Sequence, residues 1–89
     1  MIYLPARTER FKQDYASIIR KNRGFQSRVD NKLLQILENP EAHKPLKKPL
    51  HGYKRAHIGP YVVTFRIKEE FVIFTRLAHH DEIYGLIHD

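Results

Sequence analysis

The sequence contains no cysteine, and it has no long apolar run. Without cysteine the chain can form neither a disulfide, nor a thiolate-ligated zinc site, nor a thiol nucleophile. No window approaches the ~18 apolar residues of a membrane helix, and the N-terminal residues lack the basic and apolar regions of a signal peptide. We therefore expect a soluble cytoplasmic protein that makes no use of a membrane.

The length and the charge of the chain limit what it can be. A chain of 89 residues is expected to form one domain, residues 1–89, and buries only a little over ~60% of its unfolded surface. Lys and Arg number 16 against 10 Asp and Glu, a formal net charge of +6. Such a surface attracts polyanions, so nucleic acid or an acidic protein is the expected partner.

The first half of the chain predicts one strand and two helices. Residues 2–6 form a short apolar run in which Pro5 cannot donate to a central ladder, which favours an edge strand. Thr8 can cap a helix that ends near residues 22–24, where Gly24 would adopt a left-handed conformation. A second amphipathic helix follows and ends at Asn39–Pro40. Each helix has one apolar stripe: Phe11, Tyr15, Ile18 and Ile19 in the first, and Phe25, Val29, Leu33, Ile36 and Leu37 in the second.

The second half predicts a basic loop and then a sheet. Residues 41–51 contain two prolines that forbid a regular helix, and the lysines Lys44, Lys47 and Lys48. Strands are predicted over residues 53–58, 61–67 and 71–77. The expected fold class is α+β: an N-terminal edge strand, a helical hairpin and a three-stranded antiparallel meander, with the helices packed on one face of the sheet.

The register of the meander decides which side chains share a face. A two-residue loop at Gly59–Pro60 pairs His57 with Val62 and Arg55 with Thr64, so that one face of the sheet is largely polar. A three-residue loop at 68–70 would pair Val62 with Arg76 and place Arg76 in line with His57. A two-residue loop would instead turn Arg76 inward. We favour the three-residue loop, because a buried unpaired guanidinium is costly.

The last predicted strand ends in a group of side chains suited to phosphodiester chemistry. Cleavage of RNA without a metal needs a base for the 2′-OH, an acid for the 5′-oxygen and fixed cations for the charge on the phosphate. Histidine, with a pKa near 6.5 when unperturbed, can exchange a proton near neutral pH. Neither a cofactor nor a metal is required, because the chain supplies these groups itself. They lie on the predicted polar face and in the segment that follows the last strand: Arg55, His57, Arg66, Arg76, His79, His80 and Tyr84.

Each of these side chains also has a purely structural interpretation. His57 could cap a turn, Tyr84 could pack in the core, and the arginines and lysines could be solvated surface charges. His79 and His80 point to opposite sides of an extended chain, so we assign His80 to the site and regard His79 as solvated or structural. The run His79–Glu82 is not expected to bind a metal, because adjacent residues cannot readily bring their ligand atoms to one ion.

Two segments, Gly52–Pro60 and Arg76–Tyr84, resemble the RelE/ParE toxins of type II toxin–antitoxin systems, and most of all the YafQ-like branch. The resemblance implies an active site that contains His57, Arg76, His80 and Tyr84. A further histidine of that branch falls near Lys44, with His43 adjacent. The arginine that many relatives carry after the central turn is Val62 here, so the RelE type of charge stabilisation is incomplete.

The resemblance implies a ribosome-dependent mRNA endonuclease whose partners are mRNA in the ribosomal A site and a cognate antitoxin, with operator DNA bound only through the antitoxin. His57 and His80 would be base and acid in either order, with Arg55 and Arg76 on the phosphate and Tyr84 against a base. The RNA backbone would be held by Lys44, Lys47, Lys48 and Arg66. Two alternatives stay open: a ParE-like inhibitor of DNA gyrase without nuclease activity, and an inactive relative that acts with the antitoxin as a co-repressor.

Overall fold

The computed structural model describes residues 3–42 and 52–83, in which two helices pack on one four-stranded sheet. The elements in chain order are β1 (Leu4–Arg7), α1 (Glu9–Lys21), α2 (Gln26–Glu38), β2 (Lys54–Ile58), β3 (Tyr61–Lys68) and β4 (Phe71–His79). Short 3-10 turns occupy Arg23–Phe25 and Pro40–Ala42. Neither helix is long and apolar enough to cross a membrane.

The sheet is mixed, with strand order β1-β4-β3-β2. β1 lies at the edge and runs parallel to β4, whereas β2–β3 and β3–β4 are antiparallel. A parallel neighbour requires a crossover, and the helical hairpin between β1 and the meander provides it. The predicted α+β fold, with an N-terminal edge strand and the helices on one face of the sheet, is confirmed.

Thr8 begins α1 and also anchors it to the sheet. Its Oγ1 accepts a hydrogen bond from the Phe11 backbone N–H at 3.1 Å and donates to the Thr75 carbonyl at 2.9 Å. The predicted cap is therefore confirmed. The predicted role of Gly24 is wrong: α1 ends at Lys21, and Gly24 lies in the 3-10 turn without a positive φ. The Asn22 N–H bonds the Ile18 carbonyl at 3.0 Å instead and closes the helix.

The core lies between the helices and the inner face of the sheet. Phe11 of α1 and Val29 and Ile36 of α2 are fully buried, as the predicted apolar stripes require. The ring centroid of Phe74 lies 5.6 Å from that of Phe11 and 6.2 Å from that of Phe65. Aromatic rings thus join α1 to the two central strands.

The two helices are joined to each other by a polar contact at the rim of the core. The Tyr15 hydroxyl donates to Asp30 Oδ1 at 2.7 Å and accepts from Gln26 Nε2 at 3.2 Å. Burial, and then the hydrogen bond to the Asp30 carboxylate, raise the pKa of Tyr15 above its usual value of 10.0. The hydroxyl therefore stays protonated and keeps donating to Asp30 across the neutral range.

The β2–β3 hairpin has the predicted register. His57 pairs with Val62 and Arg55 with Thr64, and the loop consists of Gly59 and Pro60. Gly59 has φ of 59°, the conformation that a type II′ turn requires at its first loop position. The proline ring fixes a negative φ at the second position, so these two residues suit this loop.

The predicted register of β3–β4 is wrong. The loop contains two residues, Glu69 and Glu70, so that Lys68 pairs with Phe71, and a bulge then shifts the pairing at Thr64 and Phe65. Because of the bulge, Thr64 pairs with Arg76 and Val62 with Ala78. The extra residue is Thr75, which lets Phe74 and Leu77 both face the core although they are three apart. Arg76 therefore aligns with Thr64 and Arg55, not with His57.

The face of the sheet opposite the helices, called the outer face below, is less polar than predicted. Val62 and Ala78 are buried on it beneath Ile83, which follows β4 and is only 1% exposed. Thr64 is also buried, and its Oγ1 lies 2.7 Å from Thr75 Oγ1 in a hydrogen bond within the sheet. The outer face thus has an apolar centre between its charged groups.

We predict that Glu69→Gly stabilises the protein. Glu69 has φ of 57°, a left-handed conformation that costs an ordinary residue about 1–2 kcal/mol. Glycine avoids this cost but loses more entropy on folding, which leaves a net gain of roughly 0.5–1 kcal/mol. Urea unfolding should show a higher midpoint for this variant, and Glu70→Gly, which removes the same charge without relieving strain, should lower it. Equal midpoints for the two variants would refute the prediction.

Candidate active site

The Gly59–Pro60 turn brings two imidazoles to the same end of the sheet. His57 lies two residues before Gly59, and His80 contacts the carbonyl of Pro60 through its backbone N–H at 3.0 Å and its Nδ1 at 3.3 Å. Both side chains are exposed. Since neighbouring strands lie about 5 Å apart, His57 and the end of β4 are separated by roughly 10 Å.

The surface of the sheet between these two imidazoles is apolar. Val62 pairs with His57 on one side and with Ala78 on the other, and Ile83 covers both Val62 and Ala78. An apolar surface excludes water from the groups beside it, and charge interactions there are stronger than in open solvent. Tyr84 follows Ile83 directly, but it lies outside the described residues.

Arg76 is held by Asp14 at the edge of β4. Arg76 Nε donates to Asp14 Oδ2 at 2.8 Å and Nη2 donates to Oδ1 at 3.2 Å, and the two side chains are only 12% and 16% exposed. Asp14 Oδ2 also accepts the Leu77 backbone N–H at 2.9 Å. β1 ends opposite Phe74, so this carboxylate satisfies a strand edge that β1 does not reach. The guanidinium is thereby held against α1 at this edge of the sheet.

The other predicted arginines lie at different distances from the imidazoles. Arg55 is half-buried and shares a row of the sheet with Thr64 and Arg76, next to the row that contains His57. Arg66 is exposed, pairs with Ile73 farther along the sheet, and has its guanidinium carbon 5.5 Å from the centre of the Tyr53 ring. Arg55 is therefore placed close to the candidate site, and Arg66 toward its margin.

Sequence reasoning missed one cation at the site. Arg28 of α2 extends to the turn, and its Nη2 lies 3.1 Å from where a β-carbon on Gly59 would be. Its guanidinium carbon is 5.1 Å from the centre of the Phe25 ring, a cation–π contact that orients it. The spacing of three between Phe25 and Arg28 on a helical segment could have predicted this contact. Only the fold could show that the Arg28 guanidinium lies beside Gly59.

His79 contacts groups on the helix side of the sheet. Its ring meets the Tyr61 ring edge-on at 6.1 Å and stacks on the His80 ring at 4.6 Å. The structural role predicted for His79 fits these contacts, but the expectation that His79 and His80 point to opposite sides of the chain is wrong, because their rings stack on each other. Ligand atoms of His79, His80 and Asp81 nevertheless all lie within 4.8 Å of one another, contrary to the expectation that adjacent residues keep such atoms apart.

Several predicted site residues lie outside residues 3–42 and 52–83, which the structure describes. They are His43, Lys44, Lys47, Lys48 and Tyr84. Their proposed contacts with RNA remain predictions from the sequence.

Comparison with known proteins identifies the family of this chain. The family model described as the ParE toxin of type II toxin–antitoxin systems, parDE, matches residues 6–84. The chain belongs to this toxin family. It is a toxin of a type II toxin–antitoxin system of the RelE/ParE superfamily, as the segments around His57 and His80 indicated, and its partner in such a system is an antitoxin protein.

Individual relatives agree with this assignment. A Methanocaldococcus jannaschii protein provisionally named toxin RelE4 is 41% identical over 56 residues, which cover 60% of each chain. The structure of YafQ from Escherichia coli is similar with a TM-score of 0.74 at 17% identity, over 91% of this chain and 97% of that one. The toxin–antitoxin complex RelBE2 from Mycobacterium tuberculosis gives a TM-score of 0.76 at 23% identity, over 90% and 100%. Both structures share the fold described above.

We predict that Asp14→Ala destabilises the protein by about 3 kcal/mol, because it removes the carboxylate that accepts two hydrogen bonds from a shielded guanidinium. The Leu77 N–H loses its acceptor at the same time. Urea unfolding monitored by circular dichroism measures the change.

The matched control is Lys12→Ala, which removes the Glu9–Lys12 pair on the same helix. That pair is 4.0 Å apart with side chains 55% and 80% exposed, so its loss should cost less than about 0.5 kcal/mol. Similar losses of stability in the two variants would show that Asp14 does not hold β4 as described.

Proposed function

We propose that this toxin is a ribosome-dependent mRNA endonuclease that cleaves without a metal. The 2′-OH attacks the adjacent phosphorus, the bond to the 5′-oxygen breaks, and a 2′,3′-cyclic phosphate remains, which water can then open to a 3′-phosphate. The observation that carries the proposal is the approach of His57 and His80 to one turn from two separate segments. Two exposed imidazoles beside several arginines are the minimum set for acid–base cleavage of RNA.

The proposed roles follow from the positions of the groups. One imidazole removes the 2′-OH proton and the other protonates the 5′-oxygen that leaves, in an order not assigned here. Arg76, fixed by Asp14, and Arg55 in the same row of the sheet offset the charge that builds on the phosphate. Arg28 adds a cation at the turn itself. In this proposal Tyr84 orients or stacks on a base.

The proposal also names the partners. The substrate is mRNA in the ribosomal A site, and its backbone is bound by Arg66 and by Lys44, Lys47 and Lys48. The antitoxin neutralises the toxin, and operator DNA is bound only through the antitoxin. Both ribosome and antitoxin place the protein in the cytoplasm.

Primer extension on an mRNA translated in a purified system with added toxin tests the proposal. Wild-type protein should create new 5′ ends within the reading frame. His57→Ala and His80→Ala should each lower the yield by about 10²–10⁴, the usual contribution of one acid or base group. Unchanged cleavage in either variant would show that its imidazole has no catalytic role.

The cation at the turn has its own test in the same assay. Arg28→Ala should reduce cleavage about tenfold, since a charge-assisted contact with phosphate contributes about 1.5–3 kcal/mol. Arg10→Ala removes an equally exposed arginine from α1, at a distance from the turn, and should leave cleavage unchanged. Equal loss in the two variants would indicate a general effect of charge and no specific contact of Arg28.

A second candidate is inhibition of DNA gyrase without nuclease activity, which the match to the ParE family favours. Such an activity needs neither His57 nor His80. Growth arrest by the double variant His57→Ala, His80→Ala, with DNA damage induction and intact mRNA, would support gyrase inhibition. Loss of growth arrest together with loss of mRNA cleavage would exclude it.

A further inference from the structure

We infer that the turn after β4 binds a divalent transition-metal ion of the zinc or copper type through His79, His80 and Asp81. These three residues contribute two imidazoles and one carboxylate, whose ligand atoms all lie within 4.8 Å of one another. A tetrahedral metal about 2.0–2.2 Å from each ligand atom holds those atoms about 3.3–3.6 Å apart. The exposed side chains would therefore have to draw together by about 1 Å to form the site.

The contacts of His80 direct one ring nitrogen toward the carboxylate. Its Nδ1 lies 3.3 Å from the Pro60 carbonyl, which can only accept, so this hydrogen bond requires the proton on Nδ1. Its Nε2 lies 3.0 Å from Asp81 Oδ1, a distance at which a proton on this nitrogen donates to the carboxylate. In the neutral ring with the proton on Nδ1, the same nitrogen has a lone pair that can bind a metal. Metal-binding histidines in proteins are commonly oriented in this way, with the other nitrogen donating to a backbone carbonyl.

The contacts of His79 have the same consequence. Its Nδ1 accepts the Asp81 backbone N–H at 3.2 Å and therefore carries no proton. The approach of this nitrogen to Asp81 Oδ2 at 3.5 Å is thus between two electron-rich atoms, not a hydrogen bond. A metal at Nδ1 would replace one hydrogen bond of an exposed turn, which water can satisfy instead.

The turn therefore gathers two imidazole nitrogens around one carboxylate, and a metal ion would replace the proton at His80 Nε2. Imidazole nitrogen with one carboxylate oxygen suits zinc, copper or nickel and does not suit magnesium. The side chains of His79, His80 and Asp81 are 40%, 56% and 74% exposed, so water can complete the coordination. The site is of the open kind, with three protein ligands. This inference concerns binding alone and stands whether or not the chain cleaves RNA.

The test is a titration of the full chain with Zn²⁺, followed by NMR correlation of the imidazole nitrogens with their ring protons. Before metal is added, the spectra should show the proton on Nδ1 of His80 and on Nε2 of His79. Zn²⁺ should then shift the resonances of both rings and leave those of His57 in place, and Mg²⁺ should shift none. Unmoved His79 and His80 resonances at millimolar Zn²⁺ would overturn the inference.

Variants give an independent measure by calorimetry. His80→Asn and Asp81→Asn should each weaken Zn²⁺ binding at least about tenfold, as the loss of a ligand requires. His57→Asn removes an exposed imidazole outside the turn and should leave the affinity unchanged. Zn²⁺ affinity in Asp81→Asn equal to that of wild type, or an equal loss in His57→Asn, would show that the metal binds elsewhere.

Discussion

The carboxylate of Asp14 joins the helical layer to the sheet where the candidate site begins. It accepts hydrogen bonds from two nitrogens of the Arg76 guanidinium and from the Leu77 backbone N–H. Without it, the Leu77 N–H at the edge of β4 beyond β1 would lose its acceptor, and Arg76 would lose two hydrogen bonds to a carboxylate. This one side chain of α1 therefore fixes β4 just before its end, where His79 and His80 follow.

The sequence was sufficient to predict the elements and the first hairpin, because these are determined by local chemistry. Thr8 caps α1, and Gly59–Pro60 suits only a tight turn, so the pairing of His57 with Val62 followed. The second hairpin could not be predicted in this way. The loop Glu69–Glu70 contains neither glycine nor asparagine, the residues that usually mark a left-handed position in a two-residue turn. The bulge at Thr75 leaves no local signal either, since it follows from the packing of Phe74 and Leu77 in the core.

The site was predictable only in part for the same reason. His57 and His80 stood out by residue type, and the fold brings them to one turn. A guanidinium cannot be shielded without a partner, but the sequence offered no means of recognising Asp14, 62 residues away, as a partner of Arg76. Arg28 was missed because an arginine on the polar side of a helix is expected to be solvated, and the sequence does not show that the Gly59–Pro60 turn lies beside it.

The central claim is that the two imidazoles act on the same phosphodiester, and the pH dependence of mRNA cleavage on the ribosome tests it most directly. Single-turnover rates for the wild type should follow a bell-shaped profile, because one histidine must be neutral and the other protonated. His57→Ala and His80→Ala should each lose a different limb of the bell while cleaving slowly. An unchanged bell in either variant, or loss of the same limb in both, would contradict the claim.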